Sequence, residues 1–175
     1  WPGASGRWKK INDNPASAPP DLSGFITNYT TITVPTVADL KNISVANGIQ
    51  LVVVEGFANR TDGGGGDFVY DATTTDPDDG GVIHAPNNGD GKWRRIVDPL
   101  GGVRVPWWSG IVTNDTANAA INYASAHTNA GTVIVPGGLH QIDAVAGITM
   151  KSNVRLVGDA GATLDISGAT GAMTV

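Results

Sequence analysis

The apolar residues of this chain come as short β-type runs, then one helical stripe, then short runs again. From Phe25 to Val34 they alternate loosely (Ile26, Tyr29, Ile32, Val34), which predicts a strand. Thr36-Val37-Ala38-Asp39-Leu40 predicts a short helix, with Thr36 as N-cap and Asp39 at the third helical position. Ile49 to Val54 is a β-branched run expected as a buried strand that Glu55-Gly56 ends. Asp67-Phe68-Val69-Tyr70-Asp71 and Val82-Ile83-His84-Ala85 read as two more strands, and Gly91 opens a last one. In that last strand Trp93 is expected to face a core, with the basic residues Arg94 and Arg95 at the rim. The period then changes. Ala117, Ala120, Ile121 and Ala124 stand at i, i+3, i+4, i+7, one face of a helix capped by Thr113 or Asn114 and ended by Gly131.

After this helix, Thr132-Val133-Ile134-Val135 is a strand that Pro136-Gly137-Gly138 turns. Ile148-Thr149-Met150, Val154-Arg155-Leu156-Val157 and Ala162-Thr163-Leu164-Asp165-Ile166 follow with small residues between them. Strands this short, without hairpin spacing, suit successive edges of a right-handed parallel β-helix. Turns elsewhere are marked by Asp62 with Gly63 to Gly66, and by Asp76-Pro77-Asp78-Asp79-Gly80-Gly81.

One phrase occurs twice. Gly6-Arg7-Trp8-Lys9-Lys10-Ile11 returns as Gly91-Lys92-Trp93-Arg94-Arg95-Ile96: Gly, base, Trp, base, base, Ile. The second copy closes a β-rich stretch, so residues 1–11 are expected to end an upstream module of the same kind, and the chain to be an excerpt of a longer protein. Residues 12–35, with Asn14-Pro15 and Ala18-Pro19-Pro20, read as a linker.

Composition narrows the picture. Hydrophobic residues make up 41% of the 175, enough for a core, while charged residues are only 15% against a usual value of about 25%. With 24 glycines, this favours a mainly β fold with many tight turns over a helical bundle. The net charge of −5 disfavours nucleic acid and anionic membranes as partners. No apolar run reaches the roughly 18 residues of a transmembrane helix, so membrane insertion is not expected. The absence of cysteine excludes disulfides and thiolate metal sites.

Little of the chain suggests chemistry. The acidic turn at Asp76 to Gly80 offers oxygen ligands for calcium but lacks the spaced pattern and closing Glu of an EF-hand, so a solvated turn is the favoured reading. The tetraglycine lacks the Lys-Ser/Thr ending of a phosphate loop, and there is no Gly-x-Ser-x-Gly elbow. His84, His127 and His140 show no metal-ligand spacing and read as structural. Hence no catalytic, cofactor or metal residue is assigned. Trp107 and Trp108 are the candidate contact residues. Adjacent aromatics stack on sugar rings, but in a strand they point to opposite faces, so core or subunit-interface packing is preferred over glycan contact.

Two stretches resemble a known family. Gly56 through Ile96, with Asp62-Gly63-Gly64-Gly65-Gly66-Asp67-Phe68, Asp78-Asp79-Gly80-Gly81 and Gly91-Lys92-Trp93-Arg94-Arg95, resembles the particle-binding module near the N-terminus of bacteriophage tailspikes. Asn114-Asp115-Thr116, the helix, Gly131 to Gly138 and Lys151-Ser152-Asn153-Val154-Arg155-Leu156-Val157-Gly158 are similar to the start of the pectate-lyase-like β-helix of those tailspikes and of related polysaccharide lyases and hydrolases. The pattern departs at Gly110 to Thr116: Ile111-Val112-Thr113 replaces the family's Gly-Asp-Gly turn, and Asn114 replaces an Asp.

The resemblance implies five parts: residues 1–11 end one particle-binding module, 12–35 link, 36–98 form a second module, 99–130 form a neck with a capping helix, and 131–175 begin the β-helix. It implies a homotrimer on the phage virion, made in the host cytoplasm. It would be held by a tail or baseplate protein, with other tailspikes as further candidate partners. A downstream domain would act on a bacterial surface polysaccharide. Catalytic carboxylates would lie beyond the first coils. The acids after the helix, Asp143, Asp159 and Asp165, are expected at turns and rims, not as the pair of roughly 5–9.5 Å separation that glycoside hydrolysis needs. Two rivals share these features: a secreted bacterial polysaccharide lyase or hydrolase, and a non-enzymatic trimeric fibre or adhesin.

Overall fold

The structure, a computed structural model, describes residues 31–45, 51–98, 101–127, 131–143 and 147–165. The first copy of the repeated phrase, the linker up to residue 30 and the chain after residue 165 lie outside them.

The first half is one mixed sheet. Strands β1 (Thr31–Thr36), β2 (Leu51–Gly56), β3 (Gly66–Asp71), β4 (Ile83–His84) and β5 (Lys92–Arg95) lie in the order β1-β2-β3-β5-β4. β1 and β2 are parallel and the other pairs antiparallel. The parallel pair needs a crossover, and helix α1 (Val37–Lys41) lies in it. Thr36 and Asp39 close the expected capping box: the Asp39 N–H donates to Thr36 Oγ1 at 3.2 Å, and the Thr36 N–H to Asp39 Oδ2 at 3.1 Å. Alternation then decides what is buried. Val34, Val52, Val54, Phe68 and Trp93 point to one face, where Val37 and Leu40 of α1 meet them. Each such side chain contributes about 1.5–3 kcal/mol of transfer free energy.

The second half is built by stacking. β6 (Val103–Arg104), β7 (Gly131–Val135) and β9 (Val154–Gly158) form a parallel sheet, and β8 (Gly138–Gln141) and β10 (Ala162–Asp165) form another. Gly131 pairs with Val154 and Gly138 with Ala162, so the chain returns to each face after 23 to 24 residues. That is the coil of a parallel β-helix. Helix α2 (Asn114–His127) covers it with Ala117, Ala120, Ile121 and Ala124, all buried in one cluster with Val103, Val133 and Val135. Thr113 is the cap: its Oγ1 accepts the Thr116 N–H at 3.3 Å, while Thr116 Oγ1 accepts the Thr113 N–H at 2.8 Å.

Several sequence-based expectations are corrected here. The strand expected at Val82–Ala85 shortens to Ile83–His84. Gly131 does not end the helix but begins β7. Ile148-Thr149-Met150 is no strand. Its backbone is held instead by the Asn118 amide, which accepts the Thr149 N–H at 2.8 Å and donates to the Gly147 carbonyl at 3.1 Å. Arg95 is not at the rim: it is 5% exposed. Position 95 shares the face of Trp93, and its partners come from distant loops.

Candidate functional site

The two halves meet at Arg95. Its Nε donates to the Gly81 carbonyl at 3.1 Å, Nη1 to Gly65 at 2.5 Å and Nη2 to Gly64 at 2.8 Å. Its guanidinium lies 4.5 Å from the ring centroids of both Phe68, in the sheet's core, and Trp107, after β6. Burial pulls its pKa down to about 9, against the pull of Asp79 and Asp67, so it stays cationic at neutral pH. The tetraglycine is explained by this contact. A Cβ on Gly64 or Gly65 would overlap backbone of Phe57, Pro106, Val54 or Glu55, so only glycine brings those carbonyls within reach of Arg95.

Trp107 and Trp108 lie in a 3₁₀ turn, Val105–Trp108, rather than a strand. Trp107 is buried against Arg95. Trp108 is half-buried; its Nε1–H donates to the Asp79 carbonyl at 2.9 Å and its ring tilts against Tyr123 of α2 at 5.9 Å. Gly81 lies under that indole, where any Cβ would overlap it. Both tryptophans thus touch the sheet half and the β-helix half of their own chain.

Carboxylates order the turns around this junction. Asp62 accepts the N–H groups of Phe57, Ala58, Asn59 and Gly64 at 2.8–2.9 Å. Partial burial works against its ionisation, but these four donors outweigh it and its pKa is lowered. Asp79 Oδ1 accepts the N–H groups of Gly81, Val82 and Ile83. Asp78 binds Lys41 at 2.8 Å and the N–H groups of Gly80 and Ala85; against the cost of burial these lower its pKa. Among the described residues no group of His, Asp or Glu is placed to hold a metal ion.

The histidines are dispersed. His84 is buried beside Phe68, His127 stacks on Tyr123 and bonds its carbonyl, and His140 bonds the Pro136 carbonyl. Of the late acids, Asp159 pairs with Arg104, while the backbone N–H of Asp143 donates to Asn114 Oδ1 at 2.7 Å. The Asn114 amide also donates to the Asp143 carbonyl, so position 114 needs a donor and an acceptor together. An open groove of about 550 Å³ lies between the halves, lined by Asp62, Pro106, Ile111, Leu139, His140 and Gln141 among others. Ile111 and Leu139, which both line this groove, are 60% and 65% exposed. Among the described residues no helix is long and apolar enough to cross a membrane.

Residues 33–98 match the family described as phage tail protein small four-stranded beta-sheet domain. No curated protein matches the chain. Among solved structures, the chain is similar to tailspike protein gp49 of Acinetobacter baumannii bacteriophage Fri1, a capsular polysaccharide depolymerase. That match has 19% identity and a TM-score of 0.60 over 74% of this chain and 23% of that one. It is also similar to the tailspike protein of Acinetobacter phage vB_ApiP_P1, with 20% identity and a TM-score of 0.49 over 75% and 22% of the two chains. A third is Pantoea stewartii WceF, a glycan biofilm modifying enzyme with a tailspike-like parallel β-helix fold, with 20% identity and a TM-score of 0.42 over 75% and 22%. The chain therefore spans less than a quarter of the length of these proteins, and the fold comparison rests on the first. Residues 33–98 thus match a phage tail β-sheet domain, and the β-helix coils that continue from it share the fold of a tailspike.

Proposed function

We propose that this chain attaches a tailspike to the virion tail and orients a downstream part that binds or depolymerises a bacterial surface polysaccharide. The observation that carries the reading is the order of parts. A phage tail domain at 33–98 runs directly into the parallel rungs β6-β7-β9. Residues 36–98, with β1 ahead of them, serve as the docking module, 99–130 as the neck and 131–175 as the start of the β-helix. The depolymerase activity of the similar Fri1 tailspike supports a polysaccharide as the downstream target. The spike is a homotrimer made in the host cytoplasm and held by a tail or baseplate protein. Exposed Ile111 and Leu139 beside the groove support the homotrimer, since a neighbouring copy would cover them. We assign no catalytic group to this segment, where Asp159 is occupied by Arg104.

The test is to express residues 1–175, measure mass by sedimentation equilibrium, and measure co-sedimentation with virions stripped of spikes. A trimer that binds saturably is expected. A monomer that does not bind contradicts the reading.

A further inference from the structure

We propose that Arg95 is a locking joint that makes the docking module and the neck one rigid body. The inference rests on the reading above for what is joined, but its test is independent of virion binding. Three observations carry it. First, Arg95 is a buried cation with no carboxylate of the described residues within ion-pair distance; three carbonyls and two ring faces hold it. Second, these partners come from all sides of the junction. Gly64 and Gly65 belong to the β2–β3 loop, Gly81 to the turn before β4, Phe68 to the sheet's core, and Trp107 to the segment after β6. Third, a parallel contact reinforces it, since Trp108 lies on Gly81 and donates to the Asp79 carbonyl.

The chemistry requires arginine. A guanidinium is planar, so its edge donates to three carbonyls while its faces meet two rings. A lysine ammonium is a point charge with neither the fork nor the flat face, and in this site it would leave carbonyls unpaired. The sequence carries its own comparison. In the first copy of the repeated phrase Lys10 stands where Arg95 stands in the second, and the proline-containing stretch 12–30 follows it in the sequence. Arginine occurs in the copy whose module packs directly on the next element, and lysine in the copy followed by the linker-like stretch. The lock would pass load and orientation from the tail to the β-helix without a hinge.

The chain contains no cysteine, so spin labels can be placed freely. We would label Asn88→Cys in the module and Lys151→Cys in the first coil, both exposed positions. Excess unlabelled chain would dilute the labels, and the intramolecular distance distribution would be read by pulsed electron resonance. The expected result is one narrow distribution, broadened at least twofold by Arg95→Lys, with amide-exchange protection of Val52 and Phe68 unchanged. An unchanged width, or an equally broad distribution in the parent, overturns the proposal. Should Arg95→Lys lose that protection, Gly81→Ala decides. It leaves Arg95 in place and drives a methyl into the Trp108 indole. The same broadening supports the lock, and an unchanged width overturns it. Failure to bind virions with a narrow parent distribution would contradict the docking function and leave the lock standing.

Discussion

Lowering the pH from 7.5 to 5 is expected to cost the fold about 2 kcal/mol through His84 alone. This side chain is 1% exposed, neither ring nitrogen has a hydrogen-bond partner among the described residues, and it lies 5.5 Å from Phe68 and opposite Trp93. Burial lowers its pKa from 6.5 to about 4. Asp78, with Oδ1 3.8 Å from His84 Nδ1, and Asp79 pull the pKa upward, while Lys41 and Arg95 push it down. The unfolded chain takes up this proton near pH 6.5 and the folded chain only near pH 4. In that window the unfolded state binds more protons, and stability falls as pH falls. The full loss is about 3 kcal/mol, of which about 2 kcal/mol has appeared by pH 5. The assay is urea unfolding at pH 7.5 and pH 5 for the parent and His84→Leu, at fixed protomer concentration. Between the two pH values the parent should lose about 2 kcal/mol more than the variant. Carboxylates such as Asp62 weaken both proteins alike. A stability gap that does not change with pH would refute the argument that a neutral imidazole is buried here.

Three further outcomes follow from side chains that hold backbone. Asn114→Asp should destabilise by about 2 kcal/mol in urea titration, because a carboxylate oxygen would face the Asp143 carbonyl in place of a donor; Asn114→Ala should be no worse. Asp62→Asn should cost roughly 2 kcal/mol or more despite equal size, since its new NH₂ would face two N–H donors, read by thermal unfolding. Thr36→Ala should cost about 1 kcal/mol by loss of the capping box, and amide exchange in residues 37–41 should quicken first.

What could be read in the sequence was what depends on local period. The β-type runs placed the strands at Asp67–Asp71 and around Trp93, with Trp93 facing a core, the i, i+3, i+4, i+7 stripe placed the inner face of α2, and Thr36 with Asp39 marked a helix start. Arg95 was missed although it obeys the same alternation as Trp93. Polarity argued for the rim, and the carbonyls that accept it come from glycines some 30 residues earlier. A buried position two residues from a core tryptophan, in a chain with an unexplained tetraglycine, was the available signal. Asn114 and Asn118 stand one helical turn apart on the same face, but the strand-like reading of Ile148–Met150 hid the target of Asn118. Apolar content there reflects packing against the coil, while the Asn118 amide takes the place of a ladder partner. The sequence singled out the tryptophan pair as candidate contact residues. Its place at the junction was not legible, because it depends on a 3₁₀ turn and on Gly81 opposite.

The central claim is that this chain is the attachment end of a tailspike. Its most direct test is competition for spike sites on the virion. Purified residues 1–175, added before full-length spike to virions stripped of spikes, should occupy the sites and prevent restoration of adsorption to the host in proportion to occupancy. Undiminished restoration at saturating concentrations of the chain would contradict the account.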